Sequence, residues 1–340
     1  MKEILAEYPA QLHFLYAKYY NSGMKVFVSH QSAIEYWRSR NGMSCSNAKQ
    51  RCRVTLSESS TAVGHAGLPG RLMLKLPLHI MLGKPGSRWE AKSMKQHVFT
   101  GETPDGCFIS VDEKLFISSP EFCFLQMANQ ITLLRLIELG YELCGTYSIP
   151  VAGDQNVPEK GFYNRRPLTS TKKLAAFLAR MPGVKGHRKA IRALQYILDD
   201  SASPMETKLA IILTLPYKLG GFGLAKPELN KRVVPSKAGK RLSGKTSYVC
   251  DLFWSDKGLS VEYDSTFFHS GQKQIAEDSK KRDTMTMMGF TVITVTKQQL
   301  YDEKEFKNSA TVIAKCLGKR LTFRNTKFHA AHLELREQLL

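Results

Sequence analysis

Three carboxylates, Asp251, Glu262 and Asp264, occur close together in a chain whose formal net charge is +19. Carboxylate oxygens are the ligands that hard divalent cations such as Mg²⁺ prefer in proteins. Acids placed opposite each other on a sheet without such a cation repel, by roughly 0.2–1 kcal/mol even on an exposed face. The three residues are therefore a candidate metal site if the fold brings them onto one patch.

The sequence around these acids predicts a β-hairpin. Two runs alternate with period two, as strands do, and the turn between them ends on Gly258, which tolerates a positive φ. The predicted strands are residues 248–254 and 259–264. Closure through this turn places Asp251 directly opposite Glu262. Asp264 then shares a face with Glu262, because side chains two apart on a strand point the same way.

An interpretation without a metal fits the same hairpin, since the acids of an edge strand can simply be solvated. The apolar neighbours Val249, Phe253, Val261 and Tyr263 favour a largely buried sheet instead, where uncompensated charge costs more. After the hairpin, the pattern predicts a helix over 272–288 that ends at Gly289 and then an apolar strand over 290–296, which together form a right-handed βαβ crossover.

The order of these residues resembles that in the PD-(D/E)XK nuclease superfamily, in the branch similar to very-short-patch-repair endonucleases. The resemblance covers roughly residues 200–300. The matching residues in chain order are Pro204, Glu206, Asp251, Glu262, Asp264, His269, Asp278, Arg282 and Gly289.

The resemblance implies a restriction-endonuclease-like α/β fold, a mixed sheet flanked by helices, and hydrolysis of phosphodiester bonds, with DNA as the expected substrate. It implies that Glu206, Asp251 and Glu262 hold Mg²⁺ or Mn²⁺ and that His269 orients or deprotonates the water. Asp264 is then a further ligand or a group that supports the ligands. The chain departs from the family at Asp264, where the superfamily usually has a lysine. The alternative is therefore a catalytically silent, DNA-binding transcriptional regulator or antitoxin.

Glu206 also has a purely structural explanation. The stretch Ser203-Pro204-Met205-Glu206 has the form of a capping box, in which Ser203 caps the helix and Glu206 reaches back to the backbone. The resemblance places a metal ligand at the same position, so both roles stay open.

The basic composition, 49 Lys plus Arg against 30 Asp plus Glu, favours a polyanionic partner such as nucleic acid. An ordinary basic surface that maintains solubility is the alternative. The candidate contacts to nucleic acid are Arg38, Arg40, Arg51, Arg53, Lys240, Arg241, Lys245, Lys280, Lys281 and Arg282. A further basic stretch from Lys172 to Arg192 is a second candidate DNA contact.

One stretch of the sequence matches the motif of a nucleotide phosphate-binding loop but does not predict such a loop. Residues 239–246, GKRLSGKT, fit G-x-x-x-x-G-K-[ST], but such a loop works only when a strand feeds it and a helix follows. Here the strand predicted over 248–254 follows instead. We interpret the segment as a mobile basic loop that contacts the DNA backbone.

We predict three regions: an α+β N-terminal domain over 1–152, a basic linker with helices over 153–200, and the nuclease-like domain over 201–340. The N-terminal half resembles the regulator portion of abortive-infection type IV antitoxins through the order S-H-x-S-A at Ser29–Ala33 and S-P at Ser119. This implies a possible protein partner in a toxin–antitoxin or phage-defence system. Seven cysteines without a C-x-x-C pair, and no long apolar run, predict a cytoplasmic protein with reduced thiols and no membrane partner.

The remaining expectations concern elements outside the hairpin. A single helix is predicted from Ser119 to Gly140, and strands are predicted over 24–28, 72–82 and 96–111. The C-terminal residues 303–320 and 327–340 are predicted as outer helices, with His329 and His332 as surface or interface histidines.

Overall fold

The computed structural model describes residues 25–39, 49–52, 54–59, 74–84, 93–264, 272–323 and 326–340. The chain divides into two compact units. The first contains the described residues up to Leu143 together with Ser148–Gln195, and the second contains Cys144–Tyr147 and Tyr196–Leu340. Each unit has a mixed sheet accompanied by helices, so the α/β class is confirmed. No helix in the described ranges is long and apolar enough to cross a membrane.

A six-stranded sheet forms the centre of the first unit. Its strands are β1 (Val26–Val28), β2 (Lys49–Cys52), β3 (Leu78–Leu82), β4 (Met94–Val98), β5 (Phe108–Ser110) and β6 (Leu115–Ser118). The order across the sheet is β2-β5-β6-β1-β3-β4. Strand β1 runs parallel to β6 and antiparallel to β3. All three of its residues are apolar and buried, as expected for a strand covered on both faces.

In the described part of this unit, five helices accompany the sheet: α1 (His30–Ser39), α2 (Pro120–Met127), α3 (Leu133–Cys144), α4 (Thr171–Ala179) and α5 (His187–Leu194). Two short strands, β7 (Tyr147–Ser148) and β8 (Tyr163–Asn164), lie between α3 and α4 in the sequence. Ser119 caps α2 as predicted, because its Oγ accepts the Phe122 N–H. The prediction of one helix to Gly140 is wrong. Thr132 starts a separate helix, since its hydroxyl accepts the Arg135 N–H.

The predicted linker over 153–200 does not coincide with the division into units, because the first unit extends to Gln195. Helix α4 buries Leu174, Phe177 and Leu178. The ring of Phe177 lies 5.9 Å from that of Phe122 in α2. The apolar face of α4 therefore belongs to the core of the first unit.

Three histidines meet beside the first sheet. The ring of His30, which begins α1 with φ of 50°, stacks on His97 with centroids 3.5 Å apart, and His97 Nε2 lies 3.1 Å from His79 Nδ1. Burial, followed by the neighbouring rings and the charge of Lys95, lowers the pKa of His30 to about 2. Burial, His79 and Lys95 lower the pKa of His97 to about 4. The native cluster thus holds neutral imidazoles.

The described residues of the second unit form a four-stranded sheet and six α-helices. Its strands are β9 (Glu228–Val233), β10 (Tyr248–Trp254), β11 (Leu259–Asp264) and β12 (Thr291–Thr296), in the order β12-β11-β10-β9. Its helices are α6 (Pro204–Thr214), α7 (Lys237–Ser243), α8 (Gln272–Met287), α9 (Lys297–Tyr301), α10 (Glu303–Cys316) and α11 (Thr326–Leu339).

The predicted hairpin and crossover are both present. Strand β10 pairs antiparallel with β11, with Trp254 opposite Leu259 and Leu252 opposite Val261, so the predicted register is confirmed. Strand β11 pairs in parallel with β12 through the crossover helix α8. Gly289, with φ of 80°, follows that helix where a C-terminal glycine was expected.

Two expectations for this unit are wrong. The segment predicted as a basic loop is helix α7, because the Ser236 hydroxyl accepts the Gly239 N–H at its start and Gly244 ends it with φ of 69°. Helix α7 precedes strand β10, the reverse of the order in a phosphate-binding loop. His332, predicted at the surface, is fully buried, and its Nδ1 lies 2.6 Å from the Gly220 carbonyl oxygen.

Candidate active site

Asp251 and Glu262 meet at the open end of the hairpin, one position beyond the Leu252–Val261 pair. The Asp251 N–H lies 3.5 Å from Glu262 Oε2, and Asp251 Oδ2 accepts the Tyr263 N–H at 2.8 Å. Ser260, two residues earlier on β11, donates its hydroxyl hydrogen to Glu262 Oε1. The structure therefore brings together the two acids that the hairpin register predicted to oppose each other.

Glu206 reaches the same site from the first turn of α6. Ser203 caps that helix by accepting the Glu206 N–H at 3.1 Å. The Glu206 carboxylate extends past the cap residue to accept the Ala202 N–H at 3.0 Å, and it also accepts Asn230 Nδ2 at 2.7 Å. Glu206 is only 8% exposed. It therefore serves the helix start and also places a buried carboxylate near Asp251 and Glu262.

Asn230 creates an irregularity in β9 beside Asp251. The β9–β10 ladder pairs Lys231 with Cys250 and Leu229 with Leu252, and Asn230 lies between these pairs with φ of 48°. Asn tolerates this left-handed conformation better than most residues. Its Nδ2 also donates to the Asp200 carbonyl at 2.9 Å. Asn230 thus holds the carboxylate of Glu206, a role that was not predicted from the sequence.

The electrostatics of the site show a shortage of positive charge. Burial, then the charges of Glu262 and Glu206, raise the pKa of Asp251 to about 8. Burial also raises the pKa of Glu206, while the Asn230 hydrogen bond acts in the opposite direction. Like charges and desolvation both favour the protonated carboxyl. The three acids together therefore call for a proton or a cation.

Lys281 of α8 supplies one cation. Its Nζ lies 2.7 Å from Glu262 Oε2 and 2.7 Å from the Val249 carbonyl oxygen. The side chains of Lys281 and Glu262 are 22% and 15% exposed. Burial by itself lowers the pKa of Lys281, but the Glu262 charge and hydrogen bond, with a contribution from Asp251, raise it overall. Lys281 is thus an ammonium at the acidic site, a role that differs from the predicted contact with nucleic acid.

The donor set matches a hard divalent cation in chemistry, since it offers carboxylate oxygens that one ammonium only partly neutralises. Burial contributes most to the raised pKa of Asp251, and the charges of Glu262 and Glu206 add to it. Within the described residues, no group of three or more His, Cys, Asp and Glu side chains is arranged so that it could hold a metal ion. The acids therefore share one electrostatic site without surrounding a single point.

The other predicted catalytic residues are Asp264, at the end of β11, and His269. Asp264 ends β11, opposite Thr296 of β12, on the strand that carries Glu262. His269 lies outside the described residues, so its assignment as the water-positioning base stays a prediction. The side chain of Asp278 also lies outside them.

The predicted nucleic-acid contacts differ in their surroundings. Arg38 is held by Glu142, with its Nε and Nη2 2.9 and 2.6 Å from the two carboxylate oxygens, so it serves the first unit. Lys245 pairs with Glu277 at 2.9 Å. Four others are exposed: Lys240, Arg241, Lys280 and Arg282. Arg40 and Arg53 lie outside the described residues, and Arg51 is described only as part of β2.

In comparisons with known proteins, no family model, curated protein or solved structure matches the chain.

Proposed function

We propose that the second unit is a nuclease-type domain of the restriction-endonuclease-like class, which hydrolyses phosphodiester bonds in nucleic acid, with DNA as its main substrate. The observation that carries the proposal is the meeting of Glu206, Asp251, Glu262 and Lys281 at one electrostatic site. Glu206, Asp251 and Glu262 come from a helix and a hairpin in the chain order that the resemblance to PD-(D/E)XK nucleases implies. Lys281 of the crossover helix is not part of that resemblance and is added by the contact with Glu262.

Asp251 and Glu262 would hold Mg²⁺ or Mn²⁺, and Glu206 would add negative charge beside them. When bound, such a cation lowers the pKa of a coordinated water and stabilises charge on the scissile phosphate. The raised pKa of Asp251 means that the carboxyl releases its proton when positive charge enters the site. We therefore expect divalent-ion affinity to rise with pH as Asp251 loses its proton.

Lys281 takes the place of the lysine that the superfamily usually carries two residues after the glutamate, where this chain has Asp264. Its ammonium, anchored on Glu262 and on the Val249 carbonyl, can orient a water molecule and stabilise a phosphate oxygen. Asn230 has a positioning role, because its side-chain amide donates a hydrogen bond to the Glu206 carboxylate. In this proposal, His269 remains the candidate base that deprotonates the water.

The test is a cleavage assay on duplex DNA, single-stranded DNA and RNA with Mg²⁺ or Mn²⁺, and with a chelator. Glu262→Gln should reduce cleavage by about 10²–10⁴-fold, the range for loss of a group that acts in the chemical step. Asp256→Asn, in the exposed turn of the same hairpin, is the matched control and should leave the rate unchanged. Cleavage that persists in the chelator, or equally in Glu262→Gln, would contradict the proposal.

A second candidate function is a catalytically silent, DNA-binding regulator or antitoxin. The ion pair between Lys281 and Glu262 favours it, because an ammonium already neutralises one acid without a metal ion. Tight binding to one DNA sequence, with no cleavage and no stabilisation by divalent ions, would support this function and reject the nuclease. Such a regulator would act with a protein partner in a toxin–antitoxin or phage-defence system.

A further inference from the structure

The positive charge of the chain is concentrated in a part of the first unit that the candidate active site does not use. From Lys160 to Gln195 the sequence has ten Lys and Arg residues and no Asp or Glu, in a protein whose formal net charge is +19. A solvated helical surface normally interleaves the two signs, since like charges at i,i+4 destabilise a helix. More than half of the net charge therefore lies in one segment without internal compensation.

The part of this segment from Thr171 to Leu194 folds into a helical hairpin formed by α4 and α5. Gly183 and Gly186 in the connection have φ of 77° and 92°. A Cβ on Gly186 would lie 3.1 Å from the Asn129 backbone nitrogen and 3.3 Å from Leu125 O, so a glycine allows the connection to lie close to α2. His187 Nε2 lies 3.0 Å from the Leu178 carbonyl oxygen, between the two helices. The hairpin is thus fixed to the core of the unit.

The hairpin directs most of its cations away from that core. Five of them are exposed and make no ion pair with any described residue: Lys172, Lys173, Lys185, Arg188 and Arg192. Ala190 and Ala193 form the buried side of α5. Arg188 and Arg192, one helical turn apart, are on the exposed side. Lys189 differs, because its Nζ donates to the Ile131 carbonyl and ties the helix to the unit.

A concave surface lies at the point where the connection enters α5. Residues Gly183 to Lys189 line a depression of about 370 Å³. Gly186, the residue before α5, has no side chain to accept the N–H groups of the first turn. N–H groups at the start of a helix attract anions. The depression is bordered by Lys185 and Arg188, so the backbone and the side chains favour the same sign of ligand charge.

We propose that the α4–α5 hairpin binds the phosphate backbone of duplex DNA. The ligand is a polyanion because five exposed cations have no counter-charge among the described residues. Duplex rather than single-stranded nucleic acid is favoured, because single strands are bound by stacking on exposed aromatic rings. The aromatic side chains of the hairpin do not offer such a platform, since Phe177 is 1% exposed. The choice of DNA over RNA rests on the proposed function.

The test is binding of labelled duplex DNA by the full chain in a chelator, measured by fluorescence anisotropy over a series of salt concentrations. The triple variant Lys185→Glu, Arg188→Glu, Arg192→Glu removes three contacts at exposed positions. We expect at least a tenfold loss of affinity, and a log–log salt slope that is shallower by about 2–3, because each phosphate contact contributes about 0.9. The triple glutamine variant should show the same change in slope.

The control is a triple variant of equal charge change on exposed residues of the second unit, Lys304→Glu, Lys315→Glu, Arg320→Glu. It should lose less than about threefold in affinity. Equal losses in the two variants, or an unchanged salt slope in the hairpin variant, would overturn the hairpin as the binding surface. Equal competition by duplex RNA would overturn the assignment to DNA. Glu262→Gln should bind duplex DNA with the wild-type affinity. A failure of the proposed hairpin contact can therefore be distinguished from a failure of the proposed cleavage.

Discussion

The Lys281 ammonium lies 2.7 Å from Glu262 Oε2, so the cation of the candidate active site comes from the crossover helix and not from the strand that carries the glutamate. Helix α8 connects β11 to β12 and packs on the sheet through Met285, which is fully buried. Lys281 lies one helical turn before Met285, on the same side of the helix. The packing of α8 on the sheet therefore places the Lys281 ammonium beside Glu262.

Lys281→Met should weaken both the chemistry and the fold. It leaves Glu262 beside two other acids without its partner, which we expect to cost about 1–3 kcal/mol in the free energy of unfolding. If the proposed function holds, cleavage should fall by about 10²–10³-fold. Chemical denaturation and the cleavage assay check these effects. Lys280→Met, at the exposed neighbouring position, should stay within about 0.5 kcal/mol of the wild type. Equal effects of the two substitutions would contradict the role of Lys281.

Asp251→Asn should stabilise the second unit in the presence of a chelator. The pKa of Asp251 is raised from 3.8 to about 8, chiefly by burial, so near neutral pH the native state binds a proton that the unfolded state has released. This contribution to stability is complete below the unfolded pKa and is lost as pH rises through the folded pKa. The amide carries no charge, so we expect a gain of about 1–2 kcal/mol near pH 8. A stability difference that does not grow between pH 5 and 8 would contradict the assignment.

The hairpin was predictable because its register depends on neighbouring residues. Once a four-residue turn joins two short strands, the pairing of Trp254 with Leu259 determines the pairs that follow, and Asp251 and Glu262 come together. Helix α6 was predictable for a similar reason, since Ser203 and Pro204 form its start within a few residues. These parts of the site depend on local chemistry that the sequence displays directly.

The remaining parts depend on long-range packing. Lys280, Lys281 and Arg282 are consecutive cations, and only the orientation of α8 on the sheet decides that Lys281 faces Glu262. The spacing to Met285 carried that information, but it is meaningful only once the buried side of α8 is known. Asn230 is a polar residue within a short strand, and its left-handed conformation follows from the two partners of its amide, Glu206 and the Asp200 carbonyl. Sequence spacing does not reveal either partner.

Asn230→Ala should destabilise the second unit through two separate effects. It removes the donor to the buried Glu206 carboxylate, and it places alanine at φ of 48°, which suits Asn and Gly better. We expect a total loss of about 2–3 kcal/mol in the free energy of unfolding. Asn230→Gly is the control, because it relieves the backbone and removes only the side-chain amide. It should lose about 1–2 kcal/mol. Equal losses in the two variants would show that the backbone conformation has no part in the effect.

The histidine cluster of the first unit should make that unit acid-sensitive. Burial and neighbouring positive charge lower the pKa of His97 to about 4, whereas the unfolded chain has the ordinary value of 6.5. Between these pH values the unfolded state binds more protons than the native state, so the free energy of unfolding falls as pH decreases. The slope is about 1.4 kcal/mol per pH unit for each such proton. Burial, then the other two rings and Lys95, keep His30 neutral in the same window.

His97→Gln should therefore reduce this slope by about one proton, and chemical denaturation between pH 4.5 and 7.5 measures it. Protection of the β3 and β4 amides in hydrogen exchange assigns the change to the first unit. His329→Gln is the matched control, because that side chain is 52% exposed on α11 of the second unit. It should leave the β3 and β4 protection unchanged at every pH. A His97→Gln protein with the wild-type slope would show that the cluster does not control the acid response.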